Sequence, residues 1–385
     1  MDEKMDEGVE TEEAVDPEEL VAKLEAEIAA DPNAYDSHVS LLKALKNAGE
    51  LHKLRAARRR FAAAFPLTSE MWLAWIQDEQ QYGVGAPASN EDDDDDGSAT
   101  SGTAAWRANM IQLFERAIED YWSSDVWLEY VQFCIGQQNE LDGNKLIETC
   151  ERAVQACGRD VQHGAVVWQL YQVVDETLAK REGSESQKQL LQRQLVLPIN
   201  GIEEAYDQYT TEFGDLPVDI KAKYETALVE LARLQEVEDK IEKANEEKAA
   251  PAQIWQLYKQ YIDDEQRRGN IDHVRVLYER AVAALPLQIA VWTDYTRWIM
   301  YALKDMQLAE RVFARSVRNC SWATHLWERY LLTLELNGAD MQRVNDVWSS
   351  ARNSFANSYD GSQLWLTYVF LVRRLTMDKG EVADA

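Results

Sequence analysis

The stretch WLEYVQFCIGQQNELDGNKLIETCERAV, Trp127 to Val154, contains two signatures. The first is a tryptophan followed three residues later by a tyrosine, Trp127 and Tyr130. That spacing places both rings on one face of a helix. The second is CERAV, in which Cys150, Arg152 and Ala153 present a bulky side chain, a cation and a small residue. The small residue suits a place where two helices approach closely. An offset of 23 residues separates Trp127 from Cys150. It fits one helix, a short turn and a second helix running back.

Both signatures recur along the chain. The aromatic pair returns as Trp72/Trp75, Trp168/Tyr171, Trp255/Tyr258, Trp292/Tyr295, Trp327/Tyr330 and Trp365/Tyr368, with weaker copies at Tyr206/Tyr209 and His38/Leu41. The second signature reads FERAI at Phe114 (Arg116, Ala117), YERAV at Tyr278 (Arg280, Ala281) and FARSV at Phe313. Looser copies begin at Phe61, Leu191, Tyr224 and Trp348. The offset is again 23 from Trp168 to Leu191 and from Trp255 to Tyr278, and 21 from Trp292 to Phe313. Most units recur every 34–41 residues, the period of a helical-hairpin solenoid. The expected fold is all-α: a right-handed superhelical α-solenoid of about nine hairpins over residues 17–375, with structureless ends at 1–16 and 376–385.

Departures from the period locate the irregular parts. Trp72 to Phe114 spans 42 residues, 19 more than the usual offset. The segment GVGAPASNEDDDDDGSATSGTAA, 83–105, has the composition of disorder and is read as an acidic insertion inside repeat two. Leu231, Leu234, Val237 and Ile241 at helical spacing predict a long second helix in repeat five, near 219–249, ending before Pro251. The last aromatic helix, LWLTYVFLVRRL, has no second helix after it, which implies an array that continues beyond this chain. Asp16-Pro17 and Asp31-Pro32 both read as helix starts, and Pro66, Pro198 and Pro286 as helix stops.

The chain has 385 residues and a formal net charge of −28, with acids concentrated in residues 1–16 and in Glu91–Asp96. Such a chain is a poor non-specific nucleic-acid binder, and its partners are expected to be proteins. No apolar run is long enough to span a membrane, and the N-terminus lacks a signal-peptide pattern. Cys134, Cys150, Cys157 and Cys320 sit at helical positions without metal-ligand spacing, which fits a reducing compartment, cytosol or nucleus.

Tryptophan-x-x-tyrosine in one helix and Glu-Arg-Ala in the next resemble the HAT (half-a-tetratricopeptide) repeat. The stretches at 65–79, 113–133, 193–209 and 317–332 look like HAT proteins that recycle the spliceosomal U4/U6 particle. The resemblance implies a nuclear, nucleoplasmic scaffold that binds protein components of small nuclear ribonucleoproteins and also a ubiquitin-pathway enzyme. RNA would be contacted only indirectly, through C-terminal RNA-recognition domains that this chain lacks. Homodimerisation would need the full array. Two alternatives stay open: another HAT scaffold, of spliceosome assembly or mRNA 3′-end cleavage, and a tetratricopeptide-like adaptor for a chaperone or ubiquitin-pathway enzyme.

Other residues receive structural readings. The aromatic ladder could stack single-stranded bases, but that needs a basic groove, which the net charge argues against. It reads as repeat core. Arg116, Arg152 and Arg280 are expected to pair with carboxylates of the first helix, such as Glu79. Asp92, Asp94 and Asp96 begin like a calcium loop but lack the acid at its twelfth position. Lys53, Arg55, Arg58, Arg59 and Arg60 read as a solvated face. No constellation of His, Cys, Ser and acid residues suits catalysis, so the chain reads as a non-enzyme without cofactor or metal.

Overall fold

The computed structural model describes residues 16–32, 34–82, 99–137, 140–141, 143–179, 185–355 and 361–380. The described residues form 18 α-helices and one π-helical turn, with no strand. The fold is an all-α solenoid of helical hairpins. It divides into two compact units, Met1–Pro66 and Leu67–Ala385.

The first unit holds α1 (Pro17–Ala30), α2 (Tyr35–Asn47) and α3 (Leu51–Ala64). The Asp16 carboxylate accepts the Glu18 amide at 3.2 Å, and Pro17 occupies the first helical position, where its missing N–H costs nothing. Asp31-Pro32 does not repeat this device. Asp31 caps the C-terminus of α1, and α2 starts only at Tyr35, behind Ala34. The three helices bury Leu24, Ile28, Leu41, Leu45, Leu54 and Ala57 as a core of their own. Phe61 stacks on His38, centroids 5.2 Å apart, so the weak aromatic copy still delivers a ring contact. Arg58 departs from the solvated reading of its basic cluster and is buried.

The second unit repeats a hairpin whose first helix (A) carries the aromatic pair and whose second (B) carries Glu-Arg-Ala. The hairpins are α4 (Ser69–Tyr82) with α5 (Ala99–Asp120), and α6 (Ser124–Gly136) with α7 (Gly143–Cys157). Next come α8 (Gly164–Ala179) with α9 (Glu185–Gln194), and α10 (Ile202–Phe213) with α11 (Val218–Glu246). Then follow α12 (Pro251–Arg268) with α13 (Ile271–Ala284), and α14 (Ile289–Trp298) with α15 (Met306–Asn319). The unit closes with α16 (Thr324–Leu336), α17 (Met341–Ser354) and α18 (Ser362–Gly380). Turns are short where chemistry permits. Between α12 and α13 only Gly269 and Asn270 intervene, and Gly269 takes φ 80°, a conformation that costs a glycine little.

The motif residues pack between consecutive hairpins. The bulky residue of one B helix stacks on the tyrosine of the next A helix. Phe114 lies 4.8 Å from Tyr130, Tyr278 lies 4.9 Å from Tyr295, and Trp348 lies 4.4 Å from Tyr368. Ala117, Ala153 and Ala281 are buried where helices close on each other. Gln194 occupies the same position in α9. Its amide is buried too, and accepts the Gln172 side-chain N–H at 2.8 Å.

Two sequence boundaries change. Helix α5 begins at Ala99, so residues 99–105 of the expected insertion belong to a helix. Apart from its glycine, that stretch is small Ala, Ser and Thr, and it joins the amphipathic run that begins at Trp106. The rest of the insertion, 83–98, including the acid run and the calcium-like aspartates, lies outside the described residues, as do 1–15 and 381–385. At the far end, α18 runs to Gly380 rather than stopping at 375, because nothing in TMDK breaks a helix. The expected long helix is α11, 29 residues.

Candidate protein-binding face

The Glu-Arg pair of the B-helix motif builds a rung between successive hairpins. Glu115 of α5 receives both guanidinium N–H groups of Arg152, on α7, at 2.7 Å each. The same carboxylate accepts the Tyr130 hydroxyl at 2.8 Å, and the Arg152 guanidinium lies 5.5 Å from the Trp127 ring centroid. One rung therefore joins all four motif residues. The cation engages the carboxylate edge-on and the indole by its face. The arrangement recurs with Glu151, Arg193, Tyr171 and Trp168, and again with Glu279, Arg315, Tyr295 and Trp292. The Arg152 hydrogen bonds hold the Glu115 carboxyl below the ordinary carboxylate range, and Arg193 does the same for Glu151.

At two interfaces of the second unit the acid and the arginine are both replaced. Gln192 replaces the acid in α9, and Thr226 replaces the arginine in α11. The Gln192 amide donates to the Tyr209 hydroxyl at 2.9 Å instead. Ala314 and Ser350 make the same paired replacement between α15 and α17. The interface between α11 and α13 is different. Arg280 turns to Glu238, in the extended part of α11, at 2.7 and 2.6 Å, and to Asp160 at 3.1 Å. Burial opposes its charge, but the two carboxylates more than compensate and push its pKa up.

Two buried acids join distant hairpins within this unit. Asp120, at the end of α5, accepts the Leu67 amide and the Trp72 indole N–H on Oδ2, and the Arg318 guanidinium on Oδ1 at 2.8 Å. Its backbone carbonyl accepts Arg315 Nε at 3.1 Å, and the adjacent Tyr121 hydroxyl donates to Asn319. Asp160 accepts the His163 amide at 2.8 Å, with His163 Nδ1 at 2.9 Å, and faces Arg280. The B helices of repeats two and three thereby meet those of repeats six and seven.

Between them lies a cavity of about 560 Å³. Its wall includes five arginines (152, 275, 311, 315 and 318) and three glutamates (115, 119 and 279), with Ile118, Trp122, Leu308 and Val312 as apolar floor. The overall charge argued against a basic recess in this chain. The recess exists because the acids are concentrated elsewhere and the rungs bring arginines to this one face.

The sequence-predicted residues divide as follows. Trp72, Trp75, Phe114, Trp127, Tyr130, Trp168, Tyr171, Trp255, Tyr258, Tyr278, Trp292, Tyr295, Phe313, Trp327 and Tyr330 are buried. Trp365 is half exposed, since its face of α18 meets no further described helix. The arginines do not pair with A-helix carboxylates. Arg152 and Arg280 reach acids of the preceding B helix, while Arg116 lies over the Trp72 ring at 5.6 Å. The Glu79 carboxylate instead accepts the Trp75 indole N–H. Sequence reasoning missed Asp120, Asp160 and Glu238, because none recurs with the period. Among the described residues no cluster of His, Cys, Asp and Glu could hold a metal ion, and no helix is long and apolar enough to cross a membrane.

Known proteins resemble this chain along most of its length. The PRP39 N-terminal HAT repeat matches residues 22–211 and 251–350, leaving out the span that contains α11. "Spliceosome associated factor 3, U4/U6 recycling protein" of Mus musculus is 29% identical over 92% of this chain and 35% of its own length. The Danio rerio protein of the same name is 33% identical over 92% of this chain and 37% of its own. The "mRNA 3'-end-processing protein rna14" of Schizosaccharomyces pombe is 20% identical over 88% of this chain and 46% of its own. The chain thus spans a little over a third of the length of the U4/U6 recycling relatives. Because the HAT-repeat match covers most of the chain, the chain belongs to the PRP39 N-terminal HAT-repeat family.

Proposed function

We propose that this chain is a non-catalytic protein-binding scaffold of nuclear pre-mRNA splicing, acting in assembly or recycling of the U4/U6 small nuclear ribonucleoprotein in the nucleoplasm. The observation that carries the reading is the likeness to U4/U6 recycling proteins along 92% of the chain. The geometry supports a scaffold. Rigid rungs set the spacing between hairpins, and B helices from four of them present one continuous wall. Such a surface holds several partner segments at fixed separation, so affinity arises from simultaneous engagement rather than from one strong contact. Partners are protein components of the particle, with a ubiquitin-pathway enzyme as a further candidate, and RNA is reached through them.

A second reading, scaffolding of mRNA 3′-end processing, is favoured only by the weaker likeness to rna14. Sedimentation of nuclear extract separates the two. The protein is expected to co-migrate with U4/U6 particles. Migration with cleavage factors and away from U4/U6 would overturn the first reading in favour of the second.

A further inference from the structure

Within this strongly acidic chain, the cavity between α5, α7, α13 and α15 carries more arginines than glutamates on its wall. Three of the arginines are already engaged. Arg152 binds Glu115, Arg315 binds Glu279, and Arg318 binds Asp120. The other two, Arg275 and Arg311, are exposed and form no ion pair among the described residues. Each stands one helical turn before a member of the same rung, Arg275 before Glu279 and Arg311 before Arg315. The rung thus fixes their two helices side by side and leaves their guanidinium groups available.

We infer that this cavity docks a short acidic peptide segment of a partner protein, whose carboxylates bind Arg275 and Arg311 while an apolar side chain enters against Trp122 and Val312. The inference deepens the scaffold reading and rests on it. Charge complementarity selects the occupant. Guanidinium groups bind carboxylates through paired N–H donors, and such contacts steer encounter as well as hold the complex. The apolar floor needs a side chain that a bare anion lacks. A polyphosphate strand fits less well. It would extend its charge over a surface whose formal total is −28, whereas a short segment senses only groups within a Debye length of about 8 Å. The volume, about 560 Å³, suits a few side chains rather than a folded domain.

The test titrates the full chain into a fluorescein-labelled peptide of about a dozen residues, alternating acidic residues with leucine, and reads anisotropy. Saturable binding is expected, weakened at least about tenfold by Arg275→Glu with Arg311→Glu. Arg275→Gln with Arg311→Gln should weaken it to a smaller extent, and decides the matter if the glutamate pair fails to fold. Arg267→Glu with Arg373→Glu, at exposed arginines away from the cavity, should leave affinity within about twofold. No binding by the unaltered chain, equal binding by all variants, or tighter arginine-dependent binding of an oligouridylate of similar length would each overturn the inference. None of these results would disturb the sedimentation outcome, so the scaffold reading stands or falls separately.

Discussion

Removing one side of the Glu279–Arg315 rung should cost far more than removing one side of Glu151–Arg193. The two rungs share chemistry and differ in burial. Glu279 and Arg315 are each 16% exposed, against 34% and 45% for Glu151 and Arg193. Glu279→Ala deprives Arg315 of both its Nη hydrogen bonds at 2.9 Å, leaving its Nε bond to Asp120 and its position over Trp292. An ionised group so stranded in a largely buried site costs about 3–5 kcal/mol. Arg315→Ala leaves Glu279 with one hydrogen bond, from the Tyr295 hydroxyl at 2.7 Å, and the more distant charge of Arg275, for a similar cost. The double variant strands neither, so the two costs should fall short of adding by about 2–3 kcal/mol. The same cycle on Glu151 and Arg193 should give a coupling below about 1 kcal/mol, since water solvates either partner left alone. A long repeat array need not unfold in one step. Native-state hydrogen exchange on peptides from α7, α9, α13 and α15 therefore reads each rung locally. Equal couplings in the two rungs, or additive costs at Glu279 and Arg315, would refute the claim that the rung is an energetic unit.

Three further outcomes follow from the same geometry. Burial alone would raise the Glu265 pKa, but hydrogen bonds from His273, Arg233 and Asn270 override it and hold the group down at about 2. Because the folded pKa lies below the ordinary value of 4.5, its stabilisation is complete above that pH and fades as pH falls toward about 2, and Glu265→Gln should flatten acid unfolding in that window. The thiols of Cys134, Cys150 and Cys320 are pushed up by burial to about 11, 12 and 12, so dithionitrobenzoate should label them in native protein only at the rate of local opening. Fast labelling would contradict their placement. Deleting residues 84–97 should shift the unfolding midpoint little, because loop closure depends weakly on length; a loss above about 2 kcal/mol would mean the segment is part of the fold.

Much of the fold was legible because hairpin packing imposes its period on the sequence. The offset from Trp127 to Cys150 placed two helices and the turn between them. The rungs were half legible. The Glu-Arg-Ala motif identified Arg152 and Arg280, but periodicity alone does not say whether their acids come from an A helix or from the preceding B helix. One signal does distinguish them. Gln192 and Thr226 lose acid and base together across one interface, as Ala314 and Ser350 do across another. At those two interfaces the joint loss fits an acid that serves the following repeat, whereas Arg280 turns to Glu238 and not to Glu225, the motif acid of α11. Asp120 and Asp160 gave no such signal, since each is a single solution to joining hairpins far apart in sequence. The cavity was hidden for a related reason. A formal charge of −28 averages over the chain, while the recess depends on which side chains the stacked B helices bring together.

The scaffold account is tested most directly by purifying the full chain from nuclear extract of its own cells and identifying bound proteins and RNA together. U4 and U6 RNAs with their particle proteins are expected, their recovery falling when the proteins are stripped from the RNA. Recovery of chaperones or 3′-end cleavage factors without U4/U6 components would contradict it.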